Sequence, residues 1–227
     1  MNEVSILKTE TNVEIGSVAR RIKRKIYLIT KRIFDITASI IALTILSPVF
    51  IIVGLLIRLE DGYSPILKQD RIGKNGKIFR LYKFRSMVKN ADDILMEMLK
   101  DPKIEKEYKK NMKLENDPRI TKIGHFIRKT SIDELPQLVN VLKGEMSLIG
   151  NRPYLPREKE DMGNYYKDII TSKPGITGYW QVSGRSNIDF KDRCKLESFY
   201  SKNMSFKMDI KIFFLTFYVV LLRKGAE

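Results

Sequence analysis

Cysteine, histidine and tryptophan are almost missing from this sequence, with one of each (Cys194, His125 and Trp180) in 227 residues. A lone cysteine excludes an internal disulfide and any cysteine metal cluster, and it fits a reducing compartment. Negative charge is also in short supply. Forty-two Lys and Arg face 27 Asp and Glu, a formal net charge of +15, so a polyanionic partner is expected, either an anionic lipid surface or phosphorylated substrates. Nucleic acid is disfavoured because the basic residues are spread along the chain without a recognisable nucleic-acid-binding motif. Walker and dinucleotide-binding spacings are absent, as are internal repeats and low-complexity tracts. The length allows one soluble domain beside a membrane element.

That membrane element is the one long stretch without charge, Ile36 to Ile57. As one straight helix it would measure roughly 33 Å, enough to cross a hydrocarbon core of about 30 Å. Two features argue for a bend. Ser47-Pro48 lies at its midpoint, where proline removes a backbone hydrogen bond and clashes with the carbonyl four residues back. Basic residues also stand on both sides, with Arg20, Arg21, Lys23, Arg24, Lys25, Lys31 and Arg32 before the run, and Arg58, Lys68, Arg71, Lys74 and Lys77 among those after it. Basic flanks mark the cytoplasmic side. A re-entrant hairpin keeps both clusters inside, whereas a spanning helix strands one outside. The run starts too far in and is too long for a cleaved signal peptide, so it should be retained.

Composition and period divide the chain into four segments: a polar, flexible tail (residues 1–17), a basic surface helix with the re-entrant helix (18–58), a soluble domain (59–205), and an interfacial C-terminal helix (206–227). Val18, Ile22, Ile26, Ile29 and Ile33 recur at helical spacing with a basic opposite face, as an interfacial amphipathic helix requires. The alternative is a helix packed on a soluble core. Ile66–Ile72 and Ile78–Phe84 flank an Asn75-Gly76 turn and predict a small β-hairpin. Charged helices are expected over Asn90–Lys113 with a break at Asp101-Pro102, and further helices over Asp117–Lys129, Asp133–Leu142, Pro156–Thr171 and Asp189–Lys202. Lys173–Asn187 reads as loop and short strand. The apolar run within Lys207–Arg223 is too short to span and suits either the interface or a core. The fold class is therefore α+β, mostly helical.

Ser131-Ile132-Asp133-Glu134 is the most informative polar stretch. Its plain reading is a capping box, Ser131 with Glu134, at a helix start. Its functional reading adds Arg128 and Lys129 one turn upstream, which would hold the carboxylates ionised, and free backbone N–H groups that suit a phosphate. Adjacent carboxylates can divide labour, one attacking and the other holding a divalent cation. Spacing alone leaves both readings open.

Taken in order, Lys31-Arg32-Ile33-Phe34-Asp35, Ser47-Pro48, Lys83-Phe84-Arg85-Ser86-Met87, Ser131 to Gln137, Asn140 to Ser147, Gly150-Asn151-Arg152-Pro153, Lys173 to Gly178 and Gln181 to Arg185 resemble the bacterial sugar transferases, the monotopic phosphoglycosyl transferases. The resemblance runs from about Lys31 to about Arg223. It implies transfer of a sugar phosphate from a UDP-sugar to polyprenol phosphate, with Mg²⁺, at the start of capsule, exopolysaccharide, O-antigen or glycoprotein glycan assembly. It places the catalytic domain on the cytoplasmic face of the bacterial inner membrane. By motif, Asp133 resembles the nucleophile and Glu134 the neighbouring magnesium ligand. Arg128, Arg152 and Arg185 match basic positions suited to gripping phosphate, joined by Lys83 and Arg85; Arg85 could equally pair with an acid to fix the fold. The charge and the resemblance together give as expected partners anionic lipids, downstream glycosyltransferases and a second copy of the chain, but no nucleic acid. A non-catalytic membrane scaffold is the rival, disfavoured by intact Asp133, Glu134 and Arg128. Two positions depart from the pattern. Asn151 stands where proline is common, and His125 where arginine is frequent. Tyr179 and Trp180 fit core packing better than stacking on a base.

Overall fold

The computed structural model describes residues 3–111, 114–184 and 188–221. Its elements are α1 (Glu3–Ile45), α2 (Ser47–Asp61), β1 (Ile66–Ile72), β2 (Ile78–Phe84), α3 (Ala91–Met98), α4 (Pro102–Asn111), α5 (Lys122–Lys129), α6 (Gln137–Lys143), β3 (Ser147–Ile149), α7 (Tyr166–Ile169), β4 (Gly175–Thr177), α8 (Tyr179–Ser183), α9 (Phe190–Asn203) and α10 (Phe206–Leu221). The chain is mostly helical with a small antiparallel hairpin, as expected.

The N-terminal stretch, expected as a separate tail, is continuous with the basic helix, because α1 begins at Glu3. No proline stands between Glu3 and Ile45, and an existing helix extends at the cost of one residue per added hydrogen bond. Pro48 ends it. Lacking an N–H, Pro48 leaves the Thr44 carbonyl four residues back without its helical donor, and the Ser47 hydroxyl donates to that oxygen instead, at 2.9 Å. The chain turns at Leu46, and the axes before and after differ by 62°. Among the described residues no single helix is long and apolar enough to cross a membrane. Val53 and Ile57 on α2 pack with Phe84 and Ile127, which fixes the second limb to the core.

One face of α1 is tied down. Arg32 donates to the carbonyls of Val141 (2.5 Å) and Leu142 (2.8 Å) at the end of α6, and Asp35 accepts the Leu148 N–H at 2.9 Å. Asp209 of α10 accepts from Tyr27 (2.8 Å), Lys31 (2.5 Å) and Tyr200 (2.7 Å), so one carboxylate joins α1, α9 and α10. The other face is bare. Val18, Ile22, Ile26, Ile29 and Ile33 are 47–61% exposed, so the stripe does not pack on a soluble core. In α10 the core expectation holds for one face, where Ile212 packs with Ile149 and Tyr200, while Phe214, Phe217 and Tyr218 on the other are exposed.

The hairpin has the expected limits, with Ile66 opposite Phe84 and Ile72 opposite Ile78. Asn75 and Gly76 both take positive φ, which those two residue types tolerate best. Several helix limits differ from expectation. Asp117 to Thr121 is not helical; Asp117 pairs with Arg119 at 2.6 Å, and Thr121 caps α5 by accepting the Gly124 N–H. Asp133–Leu142 is a 3-10 turn, Ile132–Glu134, followed by α6, with Pro136 between them. Pro156–Thr171 is broken into short turns, because Gly163 leaves helical φ at +52°. The segment after Lys173 contains α8 and a strand the sequence did not specify fully: β4 pairs in parallel with β3. Its glycines are spacers. A Cβ on Gly175 would lie 2.1 Å from the Gly150 nitrogen, and one on Gly178 would lie 2.1 Å from the Gly150 carbonyl oxygen.

Candidate active site

Asp133 and Glu134 lie on the 3-10 turn that comes after α5, and three local features set their position. Ser131 takes a left-handed conformation (φ 57°, ψ 18°) and its side chain caps nothing, so the capping-box reading is overturned; the chain uses this residue to reverse out of α5. Ile132 packs against the cluster of Val53, Ile57, Phe84 and Ile127. Gly124 lets α5 approach the segment after β2 closely, since a Cβ there would lie 2.1 Å from the Ser86 carbonyl oxygen. The turn is thus seated on a packed floor.

Cations surround the pair from four separate elements. Lys83 is the last but one residue of β2, Arg128 lies in the last turn of α5, Arg71 is on β1, and Arg152 comes after β3. Arg128 is oriented by a 2.9 Å bond from its Nε to the Ser86 hydroxyl. Arg71 donates to the Pro153 carbonyl at 2.9 Å and to Gln69 at 2.6 Å, which ties β1 to the Arg152 loop. The backbone N–H of Arg152 donates to Glu197 on α9 at 2.6 Å. Within the described residues Nε of Arg152 and Nε of Arg193 reach no acceptor.

The electrostatics arise from crowding. Burial pushes the Asp133 carboxyl above its ordinary value against the pull of Lys83 and Arg128. Glu134 moves the same way, through burial and then through the Asp133 charge beside it; Arg152, Lys83 and Arg71 oppose the shift. Burial and the Arg71 charge push the Lys83 amine down to about 8. Burial and Arg152 push the Arg71 guanidinium down to about 10. Two carboxylates held together against their repulsion by four cations can present one oxygen as a nucleophile and others to a cation, while the guanidinium forks take phosphate oxygens.

A profile of the bacterial sugar transferases matches residues 26–223. The chain belongs to that family. It is 47% identical over 229 residues, covering 99% of its length, to the undecaprenyl-phosphate galactose phosphotransferase of Salmonella typhimurium. It is 44% identical over 226 residues to the UDP-galactose-lipid carrier transferase of Erwinia amylovora. It is 41% identical over 199 residues, 87% of the chain and 88% of the relative, to the exopolysaccharide production protein ExoY of Sinorhizobium fredii. The chain spans 42–45% of the length of the first relatives it matches.

Within this bacterial sugar transferase, the site brings together Lys83, Arg128, Asp133, Glu134 and Arg152 of the residues expected from sequence. Arg85 stands elsewhere. Its guanidinium pairs with both Asp61 oxygens and donates from Nε to the Ser64 carbonyl at 2.8 Å, which makes it a fastener between the end of α2 and the residue after β2. Arg185 lies outside the described residues. His125 is exposed on α5, and Trp180 is buried under the Arg193 guanidinium, 4.4 Å from its ring centre. Asn151 is accounted for: buried, it donates to the Ile169 carbonyl (3.0 Å) and to the Ser201 hydroxyl (2.6 Å), joining the end of β3 to α7 and α9 in a way proline could not. Sequence reasoning missed Arg193 and Glu197. Both are buried and lie one turn apart on the face of α9 that also carries Phe190 and Cys194, so charge at apolar-face positions was the signal.

Proposed function

We propose that this chain transfers a sugar 1-phosphate from a UDP-sugar to polyprenol phosphate, releasing UMP, in two displacements through Asp133. The observation that carries the reading is the Asp133–Glu134 pair enclosed by Lys83, Arg71, Arg128 and Arg152, in a chain similar over nearly its whole length to an undecaprenyl-phosphate galactose phosphotransferase. In the first step an Asp133 carboxylate oxygen attacks the phosphorus that bears the sugar. The bond from that phosphorus to the UMP oxygen breaks, and UMP leaves with the electron pair. In the second step an oxygen of polyprenol phosphate attacks the same phosphorus, and the bond to Asp133 breaks to restore the carboxylate. Arg128 and Lys83, the cations that act most strongly on Asp133, hold its charge and align it; Arg152 and Arg71 grip donor phosphate oxygens.

The residues suit Mg²⁺. Asp133 and Glu134 offer two adjacent carboxylates, and Mg²⁺ in phosphoryl transfer typically takes one or two carboxylates with substrate phosphates completing the shell. Glu134 would hold it. When bound, such an ion neutralises the diphosphate and the departing phosphate. The experiment is UMP release from a panel of UDP-sugars with polyprenol phosphate: at least one sugar should give UMP, and chelation of divalent ions should reduce the rate to background. If no sugar yields UMP, the reading fails.

The same reading seats the protein on the cytoplasmic face through a re-entrant α1–α2 bend. Its support is the 62° turn at Ser47-Pro48 and the bare stripe of isoleucines. Cysteines introduced at Asn2 and at Lys89 should react with an impermeant thiol reagent from the same side of sealed vesicles. Labelling from opposite sides would establish a spanning helix instead.

A further inference from the structure

A second concentration of positive charge lies away from Asp133. A cavity of about 170 Å³ opens between α1, the start of β3, the loop before β4 and the end of α9, and Arg24, Lys31, Arg32, Lys74 and Lys173 line it with one carboxylate, Asp35. None of Lys83, Arg128, Asp133, Glu134 and Arg152 borders it. Asp35 is engaged with the Leu148 N–H, and Lys31 with Asp209. Arg32 donates only to backbone carbonyls, which direct it without cancelling its charge. Arg24, Lys74 and Lys173 make no ion pair among the described residues.

Like charges are held close here. A Cβ on Gly144 would lie 3.4 Å from Arg32 Nη2 and 3.6 Å from Lys173 Nζ, so the two cations stand side by side over that glycine. Burial, then the Arg32 charge, holds the Lys173 amine below its ordinary value, and Lys74 adds to the effect. Converging cations repel one another unless an anion sits among them, and several cations on one small space favour a multiply charged anion over a carboxylate. The volume is that of several waters at about 30 Å³ each, room for a phosphate. The cavity also lies against the bound face of α1, whose opposite face carries the exposed isoleucines, so a lipid lying along α1 could reach it with its headgroup.

We propose that this cavity is a binding site for a phosphate monoester or diphosphate group, separate from the Asp133 site. The group comes either from a lipid headgroup or from a soluble phosphate. The test is lysine acylation of the full chain in neutral detergent, read residue by residue by mass spectrometry, with sodium pyrophosphate or dioctanoyl phosphatidic acid as probe. Either probe should slow labelling of Lys74 and Lys173 several-fold while leaving the exposed Lys100 and Lys195 unchanged. Arg24 is exposed, so Arg24→Glu keeps the fold, and it should raise the probe concentration for half-protection by about tenfold. Lys173→Gln should weaken protection at Lys74 in the same direction. Protection by phosphatidic acid at much lower concentration assigns a lipid ligand; protection by pyrophosphate alone assigns a soluble one. The proposal is overturned if neither probe protects Lys74 and Lys173, if Lys100 and Lys195 are protected equally, or if Arg24→Glu changes nothing. The readout is local and independent of turnover, so failure of the proposed transfer reaction would leave it intact.

Discussion

Asp133→Asn should lower turnover by about a thousandfold or more, the scale on which removal of a nucleophile is felt, while leaving the protein folded. The amide matches the carboxylate in shape but cannot expel UMP. Burial raises the Asp133 carboxyl above its ordinary value, so its charged form costs stability at neutral pH, and a neutral replacement relieves that cost. The thermal midpoint should therefore stay level or rise. A fall in UMP release without a fall in melting temperature separates chemistry from misfolding. A variant that turns over like the parent would remove Asp133 from the reaction.

Asp209→Ala should be among the most destabilising single changes outside the apolar core. The carboxylate accepts from Tyr27, Lys31 and Tyr200, and the Lys31 and Asp209 side chains are only 13% and 9% exposed. Breaking a buried pair on one side costs about 3–5 kcal/mol, because it leaves the other charge without compensation. Asp209→Asn should lose less, since an amide oxygen still accepts from one hydroxyl. Thermal denaturation in detergent measures both, and limited proteolysis should find α1 cleaved faster in the alanine variant, because Asp209 ties that helix to α9 and α10. Equal stability of Asp209→Ala and the parent would mean that the network carries no weight.

How legible a feature is in the sequence depends on how local its causes are. The hairpin limits were legible, because Asn75-Gly76 sets a turn that only a few residue types tolerate and fixes the register on either side. The bend was legible because Pro48 acts on the carbonyl four residues back. The Ser131 conformation was not: a serine three residues before a glutamate has the pattern of a capping box, and only the packing of Ile132 and the close approach at Gly124 decide otherwise. The β3–β4 pairing also escaped, since two three-residue strands contribute no period of their own and depend on Gly150, Gly175 and Gly178 meeting backbone to backbone. At the site, motif resemblance singled out Asp133, Glu134, Arg128, Arg152 and Lys83, which the fold brings into one charged cluster. It could not separate Arg85 from them, because a basic residue two positions from Lys83 on the same strand end reads the same until Asp61 is placed beside it. Arg71, Arg193 and Glu197 come from distant segments, and no spacing rule connects them to Asp133.

The central claim is that Asp133 carries the phosphosugar covalently between two displacements. The most direct measurement is the mass of the intact protein after mixing with a UDP-sugar in the absence of polyprenol phosphate, with peptide mapping of the product. The expected result is a gain of one sugar phosphate on the peptide containing Asp133, release of about one UMP per protein molecule, and loss of the adduct when polyprenol phosphate is added. UMP formation only when both substrates are present, with no adduct on Asp133 at any time, would contradict it and assign a direct transfer in its place.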